Sequence, residues 1–302
     1  PDVLRQREFA LWGGVGKEAQ ASQVWVRVSG VSKPDIAPWA EYERNSRGDG
    51  WQSLPKPEPW ANAPYALFPA QGKRPGGADS AAPARLAKPG LSWTLQVGLP
   101  VCGAEQVADE VREALRWWAS FGGIGARVRR GLGAVQVHGL AVVSVEEAAE
   151  AGCRLVLGEA YPGAEKAWIA AVNKLKDFRQ KPDFARNKGK ERPGRSRWPE
   201  PDALRRALGR HAPEHAPVHV AGQAYPRAAF GLPIIFHFKD RGDPADTILQ
   251  PVGADRLASP LLLRPYPRGG KWHAAALLLP HAHVWKMKLQ TPGGVLAPEA
   301  WW

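Results

Sequence analysis

Sulfur is scarce in this chain, which holds two cysteines, Cys102 and Cys153, and a single methionine. The cysteines stand far apart and form no CxxC pair, which argues against a disulfide framework and against a cysteine-built zinc site. A reducing, cytoplasmic setting fits that usage. Long apolar runs are missing too. None approaches the roughly 18 residues that a membrane-spanning helix needs, and mean hydropathy is −0.36, so no membrane partner is expected. No signal-peptide pattern opens the chain. Charge is plentiful but lopsided: 41 Lys and Arg face 29 Asp and Glu across 302 residues, a net charge of +12. With a sequence pI near 9.9, the chain has the electrostatic footprint of a polyanion binder, most often nucleic acid. A charged fraction of 23 % beside 44 % hydrophobic residues excludes wholesale disorder. The length allows one large or two ordinary domains.

Periodicity separates the elements. Val24, Val26 and Val28 alternate with Trp25 and Arg27, the pattern of a half-buried strand over 22–28. Residues 53–92 carry eight prolines, which leave no room for a regular element. A second strand is predicted over 93–99, and a helix over 105–120, where Val107, Val111, Leu115 and Trp118 recur at helical spacing. A third strand is read at 134–138. Further on, the spacing predicts a strand at 153–157, helices at 164–178 and 201–208, and strands at 232–238, 260–263, 272–279 and 284–289. Strands and helices mix without a βαβ rhythm, so the fold class is α+β. Domains are expected at 1–150 and 151–302. Residue 1 is proline, and Leu4 to Phe9 read as the end of an element whose start lies earlier.

The most informative segment is Phe121-Gly-Gly-Ile-Gly-Ala-Arg-Val-Arg-Arg-Gly-Leu-Gly133. Gly123, Gly125, Gly131 and Gly133 allow positive φ and a close backbone approach to a ligand, and successive amides there can cradle a phosphate. Arg127, Arg129 and Arg130 add charge-assisted phosphate contacts. Neither a dinucleotide fingerprint nor a Walker A loop is present, since Val128 stands where the former needs glycine and no Gly-Lys-Ser/Thr follows. An ordinary glycine turn with solvated arginines is the competing reading.

This loop, following a helix that ends Leu115-Arg-Trp-Trp-Ala-Ser-Phe, resembles the glycine-rich signature of the RAMP superfamily of CRISPR-associated proteins. Phe9-Ala-Leu-Trp-Gly-Gly with Ser22-Gln-Val-Trp-Val-Arg-Val is similar to that family's early turn and strand. Arg227-Ala-Ala-Phe-Gly-Leu-Pro-Ile-Ile-Phe and Asp255-Arg-Leu-Ala-Ser-Pro-Leu-Leu-Leu-Arg264 resemble C-terminal signatures of the first-numbered Cmr subunit of type III-B complexes. The resemblance implies two ferredoxin-like (RRM-like) domains, the first lacking its N-terminal strand in this chain. It also implies a non-catalytic subunit of an RNA-guided effector in antiviral defence, near the 3′ end of the guide. Its partners would be CRISPR guide RNA, target RNA and other Cmr subunits. The alternative within the superfamily is a metal-independent endoribonuclease that processes CRISPR RNA.

Residues 174–210 hold thirteen Lys and Arg against five Asp and Glu, with Phe178, Phe184 and Trp198 interleaved. Cations along a backbone with aromatics for base stacking are the composition of a single-strand binder. Arg195, Arg197 and Trp198 are therefore candidate RNA contacts, and a solvated linker is the equal alternative. The eight histidines show no carboxylate or cysteine at metal-ligand spacing, so neither metal nor cofactor is expected. His138 is the one candidate general base for the enzymatic alternative.

Overall fold

The computed structural model describes residues 2–16, 19–55, 64–99, 104–180, 198–218, 224–238, 240–282 and 288–296. It is a mixed α+β structure of small antiparallel sheets. Two compact units are present: Pro1–Ala119 with Val137–Ala141, and Ser120–Gln136 with Val142–Trp302. The partition does not follow the sequence boundary at 150, because the glycine loop packs with the later part of the chain.

In the first unit, α1 (Asp2–Trp12) precedes β1 (Trp25–Ser29). Three short strands follow, β2 (Ile36–Pro38), β3 (Ala40–Arg44) and β4 (Trp51–Pro55), then the one-turn α2 (Pro64–Leu67) and β5 (Arg85–Ala87). The strands pair locally, β3 with β4 and β2 with β5. Prolines thus thin regular structure in this region without abolishing it. β6 (Thr94–Gly98) pairs with β1 across the whole excursion, Trp25 opposite Gly98 and Ser29 opposite Thr94. α3 (Ala104–Phe121) lays Val107, Val111 and Leu115 on Val24, Val97 and Leu99, with Leu11 of α1 beside them. An Arg7–Glu110 ion pair joins the two helices. The expected strand at 134–138 is absent. Those residues alternate, but no neighbouring strand offers them a ladder, and they run as irregular chain.

The second unit starts its regular part at α4 (Val145–Glu150). Its first turn is closed by a capping box: Ser144 Oγ accepts from the Glu147 amide at 3.1 Å, and Glu147 Oε2 accepts from the Ser144 amide at 2.7 Å. β7 (Arg154–Tyr161) leads into α5 (Ala164–Gln180). Ala167, Trp168, Ala171, Val172 and Leu175 form the buried stripe of α5. After α6 (Glu200–Ala207), β8 (Ile234–Phe236) and β9 (Thr247–Pro251), the chain makes β10 (Leu261–Arg268) and β11 (Lys271–Leu278). Gly269 and Gly270, at φ +59° and +72°, form the two-residue turn between them. Positive φ at both positions matches the twist of the strands. The sheet order is β10-β11-β7, with α5 across one face. β12 (Leu289–Thr291) and β13 (Gly294–Leu296) join β9 and β8 in a second sheet. That sheet and α6 enclose Leu204, Tyr225, Phe236, Leu249 and Leu289. Each fully buried leucine there contributes about 1.5–3 kcal/mol. No helix among the described residues is long and apolar enough to cross a membrane.

Candidate nucleic-acid interface

The glycine loop is built around one buried cation. Arg264 of β10 is 3 % exposed. Its Nε donates to the Ser120 carbonyl at 3.1 Å, one amino group donates to the Gly122 carbonyl, and the other reaches the Val135 carbonyl at 3.4 Å. A single planar fork therefore ties the entering and leaving stems together, which a point-charge ammonium could not do. Burial pulls its pKa down to about 10, so it remains charged near neutrality. Above this base, the Ile124 amide donates to the Gly133 carbonyl at 2.9 Å and closes the neck.

The four glycines divide by role. A Cβ at Gly133 would fall 1.8 Å from the Ile124 carbonyl oxygen, and one at Gly123 would fall 2.7 Å from that of Gly133. Gly131, at φ +82°, rests on Trp168, whose indole Nε1 donates to the Arg130 carbonyl at 2.6 Å. These three serve the loop's own packing. Gly125 differs: its φ is +85°, and nothing lies within 4 Å of where a Cβ would stand. It is the position that leaves the backbone open to a ligand.

The apex carries the charge. Arg127 holds a left-handed φ of 64°, alone in this respect among described non-glycine residues, and opens the 3-10 turn Val128–Arg130. A non-glycine residue in that region costs about 1–2 kcal/mol and is the kind of strain found at functional sites. Arg127 and Arg129 are exposed. Arg130 is half-buried and turns back, donating to the Leu261 carbonyl at 3.4 Å and the Arg129 carbonyl at 3.3 Å. The amides of Gly125 and Ala126 donate to no group among the described residues. Successive amides without an acceptor among the described residues, followed in sequence by exposed arginines, are groups of the kind that bind phosphate oxygens.

The basic stretch divides differently. Arg195 and Arg197 lie outside the described residues. Trp198 is 6 % exposed: Phe178 meets its ring edge-on at 5.5 Å, the Arg227 guanidinium lies over it, and its Nε1 donates to the Arg179 carbonyl. It packs inside and offers no free stacking face. Arg205 is also buried, bonded to both oxygens of Asp243 at 2.9 and 2.8 Å and to Asp202 at 3.3 Å. So part of the positive charge read as solvated is neutralised within the unit.

His215 has carboxylates beside it in space, although the sequence shows none at metal-ligand spacing. Its Nδ1 is 2.8 Å from Asp243 and 3.2 Å from Asp240, groups too distant in sequence for a spacing rule to find. Asp243 also accepts from the Ala212 amide at 3.2 Å. Burial pushes its carboxyl up, but the bonds from Arg205, Ala212 and His215 outweigh this and hold it well below the usual carboxylate range. Both Asp243 oxygens are committed to these donors, so the cluster reads as a hydrogen-bonded brace. His138, in the first unit, is exposed and makes no hydrogen bond among the described residues.

No curated protein and no solved structure matches the chain. Residues 2–136, from the first helix through the glycine loop, match the family model of the RAMP superfamily.

Proposed function

We propose that the protein is an RNA-binding subunit of a CRISPR RNA-guided effector, and that the glycine-loop apex grips a single-stranded RNA backbone. The RAMP match over 2–136 supports a CRISPR-associated RNA-binding role. The observation that carries the site is the apex itself, which combines the left-handed, exposed Arg127, the exposed Arg129 and two amides that donate to no group among the described residues. In the finer reading, the subunit is the first-numbered Cmr member of a type III-B complex, contacting guide or target RNA near the guide 3′ end and touching other Cmr subunits. The connectivity β7-α5-β10-β11, with α6, β8 and β9 inserted between α5 and β10 and with β11 central in its sheet, supports that reading. It is the order of the first four elements of a ferredoxin-like (RRM-like) domain. The subunit has no nuclease activity of its own.

The test is a salt series. Affinity for single-stranded RNA should fall with log salt by about 0.7 per phosphate neutralised. Arg127→Ala with Arg129→Ala should lower both the affinity and that slope. An unchanged slope would remove the apex from the interface. Incubating RNA with the protein, with and without divalent metal, should leave it intact. Cleavage that disappears in His138→Ala would replace the binding role with an enzymatic one.

A further inference from the structure

Between α5 and its sheet the second unit keeps a gap. Gly158 of β7, Ala171 of α5 and Ala276 of β11 put small groups where larger side chains would fill the layer, and a cleft of about 250 Å³ opens there. That is smaller than the ~300–1,000 Å³ of clefts holding drug-sized ligands. Leu175, Leu261 and Leu263 make its walls apolar. At its mouth Phe178 is 46 % exposed and meets Phe230 at 5.7 Å. Lys174 is exposed beside it, and its ammonium forms no ion pair among the described residues. It reaches over β7, where a Cβ at Gly158 would lie 4.0 Å from its Nζ.

Charge indicates the occupant. Leu261, one of the lining residues, accepts a hydrogen bond at its carbonyl from Arg130 of the glycine loop. At the Phe178 end, the Trp198 Nε1 donates to the Arg179 carbonyl at 3.2 Å. The cleft thus adjoins Arg130 of the glycine loop and carries Lys174 among its lining residues. A small apolar slot with one aromatic wall and one exposed ammonium at its lip matches a planar ring carrying an anionic tail.

We propose that this cleft takes one unstacked base of single-stranded RNA, with its ring against Phe178 and its phosphate on Lys174. The proposal rests on the RNA-binding reading and extends it from backbone grip to base capture. An apolar side chain of a partner protein is the competing occupant.

The experiment compares the full chain on two labelled strands of equal length, an oligouridine RNA and an abasic ribose-phosphate strand. Stacking of one base predicts a preference for the intact strand of about five-fold or more. Phe178→Leu keeps the apolar bulk and should erase that preference while leaving abasic affinity unchanged. Lys174→Gln should weaken both strands. Photocrosslinking of 5-iodouridine RNA should label the 174–178 stretch. Equal binding of the two strands overturns base capture and leaves the backbone grip standing, as does a preference that survives Phe178→Leu with no crosslink on α5. Binding of neither strand overturns both.

Discussion

Replacing Arg264 with methionine tests whether one guanidinium holds the loop. Methionine fills a similar volume, so the change removes the hydrogen bonds to Ser120, Gly122 and Val135 without opening a large cavity. Bonds from a charged donor contribute about 1.5–3 kcal/mol each, and stranded buried acceptors cost about 1–3 kcal/mol each. Against this stands the relief of no longer burying a cation, a cost already visible in the pKa drawn down to about 10. The net loss should be about 3–5 kcal/mol, as when a buried charge network is broken. Total stability is only about 5–15 kcal/mol, so the second unit should unfold at markedly lower urea. Hydrogen exchange gives the local readout. The Ile124 amide, bonded to Gly133, should lose protection, while amides of β1 and β6 in the first unit keep theirs. Arg264→Lys should fare little better, because one ammonium cannot span both stems. A loss below about 1 kcal/mol with Ile124 protection intact would refute the reasoning.

Much of the scaffold was legible because amphipathic periodicity reports which residues share a buried face. Helices expected at 105–120 and 164–178 are found at Ala104–Phe121 and Ala164–Gln180, and strands expected at 22–28 and 93–99 pair as β1 and β6. Alternation at 134–138 misled because it reports faces, not whether a partner strand is within reach; here the Val135 carbonyl bonds Arg264 instead. Arg264 was invisible for a related reason. After Leu261-Leu-Leu263 an arginine reads as the end of a buried strand, yet β10 continues to Arg268. Nothing in the sequence announces the carbonyls more than a hundred positions away that make its burial tolerable. The glycines were recognised as a group, but composition does not separate a glycine needed for close packing, such as Gly133, from one needed for φ alone, such as Gly125. The Arg205–Asp243–His215 brace joins residues far apart in the chain, and no spacing rule reaches it.

Three further perturbations follow from the same geometry. Asp243 is ionised in the fold well below its ordinary value of 3.8, so as pH falls the unfolded chain takes up the proton first. Its stabilisation is therefore complete above about pH 5 and is lost on acidification. Urea midpoints at pH 6 and 3.5 should diverge more for the native protein than for Asp243→Asn, and equal shifts would contradict the assignment. Arg127→Gly should raise the urea midpoint, by about 0.5–1 kcal/mol of relieved left-handed strain, and at the same time weaken RNA binding. A variant that is both stabler and equally tight-binding would show that the strain serves nothing. The last comparison sets Gly133→Ala against Gly125→Ala. Both positions have positive φ, +65° and +85°, so both alanines carry a similar backbone penalty of about 1–2 kcal/mol. Only Gly133 adds a collision, because its new methyl would fall 1.8 Å from the Ile124 carbonyl oxygen, a backbone atom that cannot rotate away. Relieving it means breaking the Ile124–Gly133 bond that closes the neck. Gly133→Ala should therefore lose clearly more stability than Gly125→Ala, together with Ile124 amide protection. Gly125→Ala should stay folded and lose RNA affinity, since its methyl would project from the open face where a phosphate would approach. Equal stability losses would mean that the neck is looser than the structure shows, and full RNA affinity in Gly125→Ala would place the phosphate elsewhere.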